Sequence, residues 1–360
     1  MKKVLFFLPS ISGGGAERVS IQFINFLLSA GYEVHIATFS ADSNEHWLIN
    51  NNNAKMILLN KARLSRNLFS IIKTIHKLKP NYVYSTFAHI NFYLCLIKPI
   101  LFFYQFKLII REANMPFANI ASSKYKMLYK FGYKYLYLFS NSLIVTSHVM
   151  RDEFKGINKC LLGKISIIRN PIDVSRIQQS SFSEERLFSE EYINLISVGR
   201  LTYQKGYDIL INWFKDQDLS KFHLSILGEG PDANSLMTLV KNLGLEKSVT
   251  FLGFQENPYP WVAQADCLLL FSRWEGLPNV VLESLALNTP VLSSSTAGGI
   301  GEILELCNHP KIRIFDNVKK VDKKLRFLIE ENKDFDQNLL PLEYSDSLIK
   351  KEFLKIFNSI

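Results

Sequence analysis

The sequence predicts an α/β protein of two doubly wound parallel-sheet domains, and three observations carry that expectation. First, 360 residues are more than a single hydrophobic core comfortably supports. Second, short, nearly continuous apolar runs recur, each followed by a turn and a helix-type pattern, which reads as parallel strands covered on both faces. Third, the runs fall into two series separated by a polar stretch.

The first series is "KVLFFLP", "EVHIATF", "AKMILLN", "YVYSTF", "KLIIRE", "SLIVTS" and "ISIIRN". The second is "INLISVG", "FHLSILG", "VTFLG", "CLLLFS" and "PVLSSS". Between them "RIQQSSFSEERLFSEEY", residues 176–192, is polar and lacks strand character, so it reads as a linker between domains 1–175 and 193–344. The closing "SDSLIKKEFLKIF" predicts an amphipathic helix over 345–360, opened by Ser345 or Ser347. "MKKVLFFLPS" imitates a signal peptide, but its apolar run is short and "GGGAER" follows, so a first β-strand is expected. No stretch approaches the ~20 apolar residues of a membrane span. Four cysteines without paired spacing predict reduced thiols and a cytoplasmic setting.

Charge is uneven. Residues 1–175 hold 22 Lys/Arg and 8 Asp/Glu, a net +14, while the remaining 20 and 25 give −5. A basic first half predicts an anionic partner for that half, membrane lipid or nucleic acid.

Ligands of open parallel sheets bind beyond the carboxyl ends of the strands. In the second half those ends release into "RLTYQKG", "GEGPD", "GFQENP", "RWEGLPN" and "TAGGIGE". Arg200 and Lys205 offer a guanidinium fork and a point charge to a diphosphate. The plain alternative is two solvated cations. The turn Gly276–Asn279 opens a helix whose first amides lack internal partners, a ready anion site. Glu283, about one turn inside, leans back toward that pocket and suits the hydroxyls of a ribose. Glu275, on the lip, suits hydroxyls of a second sugar. Alternatively, Glu283 is an exposed helix residue and Glu275 a helix-dipole partner.

These segments carry a resemblance. "RWEGLPNVVLE" resembles the Glu-x7-Glu element of retaining glycosyltransferases of family four, and "GRLTYQKGYDILI" their donor-diphosphate segment. "MKKVLFFLPSISGGGAERV" is similar to their N-terminal glycine loop, and "SIIRNPID" to the end of their first domain. The resemblance implies the GT-B architecture, two Rossmann-like domains facing across a cleft. The donor would lie in the C-terminal domain and the acceptor mostly in the N-terminal one, to which the last helix would return. It implies that Arg200 and Lys205 hold the donor diphosphate, Glu275 the transferred sugar and Glu283 the ribose. Backbone amides of Gly276, Leu277 and Asn279 would lie beside them. Gly14 and Gly15 would approach the phosphates, and Gly253 and Phe254 the base. Related enzymes also imply a donor-sugar role for His89, for which a structural histidine is the alternative. On the cleft side, Asn91 would join Arg111 and Asn114 as acceptor-side residues.

The implied chemistry is retaining, front-face substitution in which the departing phosphate oxygen helps take the acceptor proton. No competing carboxylate pair or Ser/His/Asp set is evident. "DQD" at 216–218 spells a metal-binding motif of another glycosyltransferase fold, but it precedes a strand and reads as a surface turn. No histidine spacing suits a metal, so neither metal nor cofactor is expected beyond the nucleotide sugar.

In the basic half, "SSKYKMLYKFGYKYLYLF" (122–139) interleaves lysines with aromatic and aliphatic residues, as a helix at a membrane interface does. Basic residues over 61–79 add to that field. A buried helix with snorkelling lysines is the bland alternative, and nucleic-acid stacking ranks below both. A nucleotide-sugar donor, a polyprenyl-diphosphate-linked glycan acceptor and an anionic membrane surface, without nucleic acid, reconcile the halves. The expectation is therefore a UDP-sugar-dependent hexosyltransferase of surface-polysaccharide assembly, O-antigen or capsule, at the inner membrane face. A UDP-sugar 2-epimerase and a catalytically silent binding protein are the competing readings.

Overall fold

The computed structural model describes residues 1–10, 14–39, 54–59, 67–330 and 340–360. They form two compact units: Met1–Pro171 with Asp346–Ile360, and Ile172–Ser345.

In the first unit the strands are β1 (Lys3–Leu8), β2 (Glu33–Thr38), β3 (Ala54–Leu58) and β4 (Tyr82–Ser85). They continue with β5 (Lys107–Arg111), β6 (Ser142–Val145) and β7 (Ile165–Ile167). All are parallel, in the order β3-β2-β1-β4-β5-β6-β7. Each of the seven apolar runs read from the sequence is a strand. The two-residue side-chain period sorts β1 onto both faces. Leu5 and Phe7 join one core with Val83 and Ile110, while Val4, Phe6 and Leu8 join another with Phe23 and Phe353.

The amphipathic helix expected at the end is Asp346–Ser359, and it belongs to this first unit. Its buried stripe is Ile349, Phe353, Ile356 and Phe357, at the helical spacing. Phe353 stacks on Phe23 with ring centroids 4.2 Å apart, and the Tyr82 hydroxyl donates to the Phe357 carbonyl at 2.6 Å.

The second unit has β8 (Ile193–Val198), β9 (Phe222–Leu227), β10 (Val249–Gly253), β11 (Cys267–Leu270), β12 (Val291–Ser294) and β13 (Ile312–Phe315). They are parallel in the order β10-β9-β8-β11-β12-β13. β13 was not legible in the sequence, because Lys311 and Arg313 break its apolar run.

The segment read as a linker is a correction. Residues 176–192 lie within the second unit, which starts at Ile172. Helix Val174–Ser180 buries Ile177 in the core beside Leu282 and Leu285. Farther on, Gln264 accepts from the Leu187 amide at 2.9 Å and donates to the Glu185 carbonyl at 3.1 Å. A polar surface with one buried anchor looked like a free connection.

Both sheets reverse strand order once, between β1 and β4 and between β8 and β11. Loops leaving such neighbours run to opposite faces and open a crevice at the carboxyl edge. Phe353→Ala should lower stability by about 3–5 kcal/mol, the cost of emptying a buried aromatic site. Urea unfolding measures it, and an unchanged midpoint would contradict the helix's place in the core.

Candidate active site

The loops after β8 and β11 meet at the reversal point of the second sheet. The β8 loop passes Arg200 and forms the short 3-10 turn Tyr203–Lys205. It then passes Gly206 into helix Tyr207–Phe214. Gly206 has φ +67°, and a Cβ there would sit 2.2 Å from the Phe271 carbonyl oxygen. Only glycine lets this loop lie against the end of β11.

The β11 loop supplies Glu275, whose residue is 7% exposed. Lys205 Nζ lies 2.7 Å from Glu275 Oε1, with side chains 20% and 9% exposed. Ser272 Oγ donates to the same oxygen at 2.8 Å. Two cationic or hydroxyl donors thus fix one carboxylate oxygen.

The two loops are also zipped together beside this pair. The Arg273 amide donates to the Gln204 carbonyl at 2.8 Å, and Gln204 Nε2 donates to the Trp274 carbonyl at 3.0 Å. The Arg273 guanidinium grips Asp208 through two bonds of 2.8 and 2.7 Å and lies 3.8 Å from the centre of the Tyr203 ring. That fork lowers the Asp208 pKa and raises that of Arg273. From β12, Gly298 (φ +55°) comes so close that a Cβ would meet the Glu275 carbonyl oxygen at 1.9 Å, and the Gly299 amide donates to the Gly276 carbonyl at 2.9 Å.

Helix Asn279–Ala286 starts three residues beyond Gly276, with Pro278 at its cap. Glu283 is its fifth residue and is half-buried, whereas Gly276 and Leu277 are buried. Arg200 is exposed. Gly253 ends β10 with φ +68° and accepts from the Gly228 amide at 2.8 Å, and Phe254 beside it is 53% exposed. The structure therefore gathers Lys205, Glu275, Gly276 and the helix start at one crevice. Ser272, Arg273 with Asp208, and Gly298 were missed. Ser272 and Arg273 shortly precede Glu275 in sequence, but the Asp208 partner of Arg273 is brought there only by the fold.

The "DQD" segment is a surface turn. Asp218 accepts from Ser220 Oγ at 2.6 Å and pairs with Lys221 at 3.1 Å. Among the described residues no three His, Cys, Asp or Glu side chains gather as a metal site.

In the first unit, Gly14 caps helix Gly15–Ser29 and both glycines are exposed. The Gly14 amide donates to Glu17 Oε2 at 3.0 Å, and Ser10 Oγ donates to Glu17 Oε1 at 2.8 Å, so the Glu17 carboxylate satisfies the N-cap amide of this helix. His89, just after β4, is solvent-accessible, and crowding by its neighbours lowers its pKa. Asn114 is half-buried.

The other acceptor-side candidates lie further inside than the sequence suggested. Asn91 is 0% and Arg111 1% exposed. Arg111 donates to Thr86 Oγ1 at 2.9 Å and to Asn170 Oδ1. Asn91 Nδ2 donates to the Arg111 carbonyl at 2.9 Å and to Glu112 Oε1 at 3.1 Å. Glu112, 1% exposed, also accepts from the Tyr137 and Tyr133 hydroxyls. Polar residues at a strand end signal a site in sequence, but these serve an internal network.

Two family models divide the chain: "Glycosyltransferase Family 4" matches residues 13–176 and "Glycosyl transferases group 1" matches 178–339. An uncharacterized glycosyltransferase of Methanocaldococcus jannaschii is 31% identical over 287 residues, 76% of this chain and 69% of that protein. The chain belongs to the family-four glycosyltransferases. A second relative of this glycosyltransferase is 25% identical over 351 residues, 92% of each chain. It is the N-acetylgalactosamine-N,N'-diacetylbacillosaminyl-diphospho-undecaprenol 4-alpha-N-acetylgalactosaminyltransferase of Campylobacter jejuni. Among solved structures, Anabaena HepE in complex with UDP-glucose superposes with a TM-score of 0.80 at 16% identity, covering 100% of both chains. The glycosyltransferase WaaG, of lipopolysaccharide biosynthesis, gives 0.68 at 16%, covering 96% of this chain and 99% of that one. The two parallel-sheet units are thus those of the GT-B fold.

Burial pushes the Glu112 carboxyl up to about 7 from an ordinary 4.5. A raised carboxyl pKa means folding favours the protonated form. That stabilisation is complete below the ordinary carboxylate range and is lost as pH rises through about 7. Wild-type stability should therefore fall relative to Glu112→Gln between about pH 5 and pH 8. Denaturant titrations at several pH values test this, and parallel curves would contradict it.

Proposed function

We propose that this glycosyltransferase transfers a hexose or N-acetylhexosamine from a UDP-sugar to a polyprenyl-diphosphate-linked glycan, with retention of anomeric configuration. The setting would be surface-polysaccharide assembly, O-antigen or capsule, at the inner face of the cytoplasmic membrane. The observation that carries the reading is the Lys205–Glu275 pair at the crevice of the second sheet, beside the start of helix Asn279–Ala286. Phosphate oxygens suit Lys205, Arg200 and the first helix amides. Hydroxyls of the transferred sugar suit Glu275, and those of the ribose suit Glu283. Gly253 and Phe254 would flank the base.

Catalysis on this reading is electrostatic. Lys205 and Arg200 meet the charge that develops on the leaving diphosphate, and pre-set donors of this kind need no reorganisation during the step. Positive charge is thus supplied by side chains, and the reading requires no metal. The oxygen of the departing phosphate would accept the proton of the acceptor hydroxyl as the new glycosidic bond forms on the same face.

A relative supports the acceptor class. The C. jejuni protein acts on an undecaprenyl-diphosphate glycan by its name. Among the described residues no helix is long and apolar enough to cross a membrane. On this reading the surface of the basic first unit would meet a lipid-linked acceptor. Helix Lys126–Lys134 exposes Met127, Leu128 and Phe131 among Lys126, Lys130 and Lys134. Of the basic residues expected over 61–79, those at 61–66 lie outside the described residues.

Incubation with UDP-sugars and polyprenyl-diphosphate glycans, with the product's anomeric configuration read by NMR, tests the activity. An α-linked product from an α-linked donor is expected; an inverted product, or a free epimerised UDP-sugar, would overturn it. Glu275→Gln should lower turnover at least about 100-fold while UDP affinity changes little, as for a group that holds the reacting sugar. Glu283→Ala should weaken UDP binding about tenfold, and unchanged affinity would remove its ribose role.

A further inference from the structure

Between Glu45 and Asp152 the sequence holds 15 Lys/Arg and one acidic residue, Glu112. That carboxyl is 1% exposed, so the described residues of this span present no carboxylate to solvent. The same span carries an apolar feature not explained by the site. Between helix Ala88–Ile97 and β5, the chain makes a hydrogen-bonded turn whose amides at Ile100, Leu101 and Tyr104 donate to Ile97, Lys98 and Leu101 carbonyls. Leu101 and Phe106 are 5% exposed and hold the turn to the core. Ile100, Phe102 and Phe103 stand out of it at 69, 66 and 78% exposure, with the two phenylalanine rings 3.8 Å apart. Burying the anchors while leaving three large side chains in water is a poor solvation bargain for a free surface.

The base of the turn meets the end of the segment that follows the lysine-rich helix. Helix Lys126–Lys134 and the 3-10 turn Leu136–Phe139 run back to the start of β6, ending at half-exposed Phe139. There Lys98 Nζ donates to Asn141 Oδ1, whose backbone amide donates to the Leu108 carbonyl at 2.8 Å. On the other flank His76 and Tyr104 are hydrogen-bonded, which places exposed Lys73 and Lys77 of helix Leu68–Leu78 beside it.

We propose that the Pro99–Tyr104 turn is a lipid-inserting wedge that, together with helix Lys126–Lys134, seats the first unit on an anionic bilayer. The inference rests on the membrane-surface reading above and adds the element that enters the acyl boundary. Charge selects the occupant. A second copy would bring two basic, carboxylate-free faces together, whereas anionic headgroups neutralise the lysines while aromatic side chains enter below them. The anchored turn makes the three apolar side chains ready for insertion without an ordering cost.

The test is flotation of the full-length protein with phosphatidylglycerol-containing vesicles and with neutral phosphatidylcholine vesicles, over a salt series. Wild type is expected to bind the anionic vesicles. Phe102→Ser/Phe103→Ser should bind about tenfold or more weakly at every salt concentration, since it removes apolar burial alone. Lys126→Gln/Lys130→Gln should lose binding mainly at low salt. Both pairs are exposed, so circular dichroism should match wild type. If wild type binds and the serine variant binds equally well, the wedge is refuted while the membrane reading stands. If wild type binds neither vesicle, the membrane reading itself fails. A concentration-dependent dimer in light scattering that the serine variant abolishes would assign the turn to a second copy and overturn the proposal.

Discussion

The ion pair between Lys205 and Glu275 organises the second unit, because the fold must bring two strand-end loops into register for it to form. Removing a mostly buried carboxylate and ammonium from water is costly, and one oxygen contact at 2.7 Å does not by itself repay it. The Ser272 hydroxyl shares the carboxylate, and the Arg273–Asp208 fork clamps the backbone on which both partners ride. Gly206 and Gly298 remove the side-chain bulk that would hold the loops apart. Breaking the pair on one side leaves a buried charge uncompensated, typically about 3–5 kcal/mol. A ligand that brings phosphates to one partner and hydroxyls to the other relieves both at once, which is why the site reads as a receptor for a sugar diphosphate.

The first unit solves a different problem. It carries a large positive excess, and its internal network of Arg111, Asn91, Glu112 and two tyrosines holds charge inside the sheet edge rather than at the surface. Burying the lone acid of a long basic span leaves the described surface of that span without a carboxylate. One arrangement thereby sets both the interior titration and the outer field. The C-terminal helix completes the unit by filling the groove beside Phe23. A chain that crosses into the second unit and returns ties its first and last segments into one core.

Much of this was legible because parallel strands write a strong pattern. Buried on both faces, β1, β5 and β6 are runs of apolar residues that only a covered sheet accommodates. Lys205 and Glu275 were legible for a related reason, since charge in the loop that follows such a run lies at the ligand-binding edge. What failed depended on burial or on distant partners. Arg111 and Asn91 obey the same strand-end rule but turn inward, and nothing in their sequence neighbours says so. Ile177 was hidden in a polar segment, and Ile312 and Ile314 were masked by Lys311 and Arg313. Gly298 could not be assigned at all, because its demand arises from the Glu275 carbonyl more than twenty positions away.

The most direct measurement is calorimetric titration of UDP, GDP and ADP into the full-length protein and into Lys205→Gln, with chelator present. The account predicts selective binding of UDP by wild type and an affinity loss of about tenfold or more in the variant, since a charge-assisted phosphate contact is worth roughly 1.5–3 kcal/mol. Binding of none of the three, or UDP affinity unchanged by removal of the Lys205 charge, would contradict the diphosphate pocket.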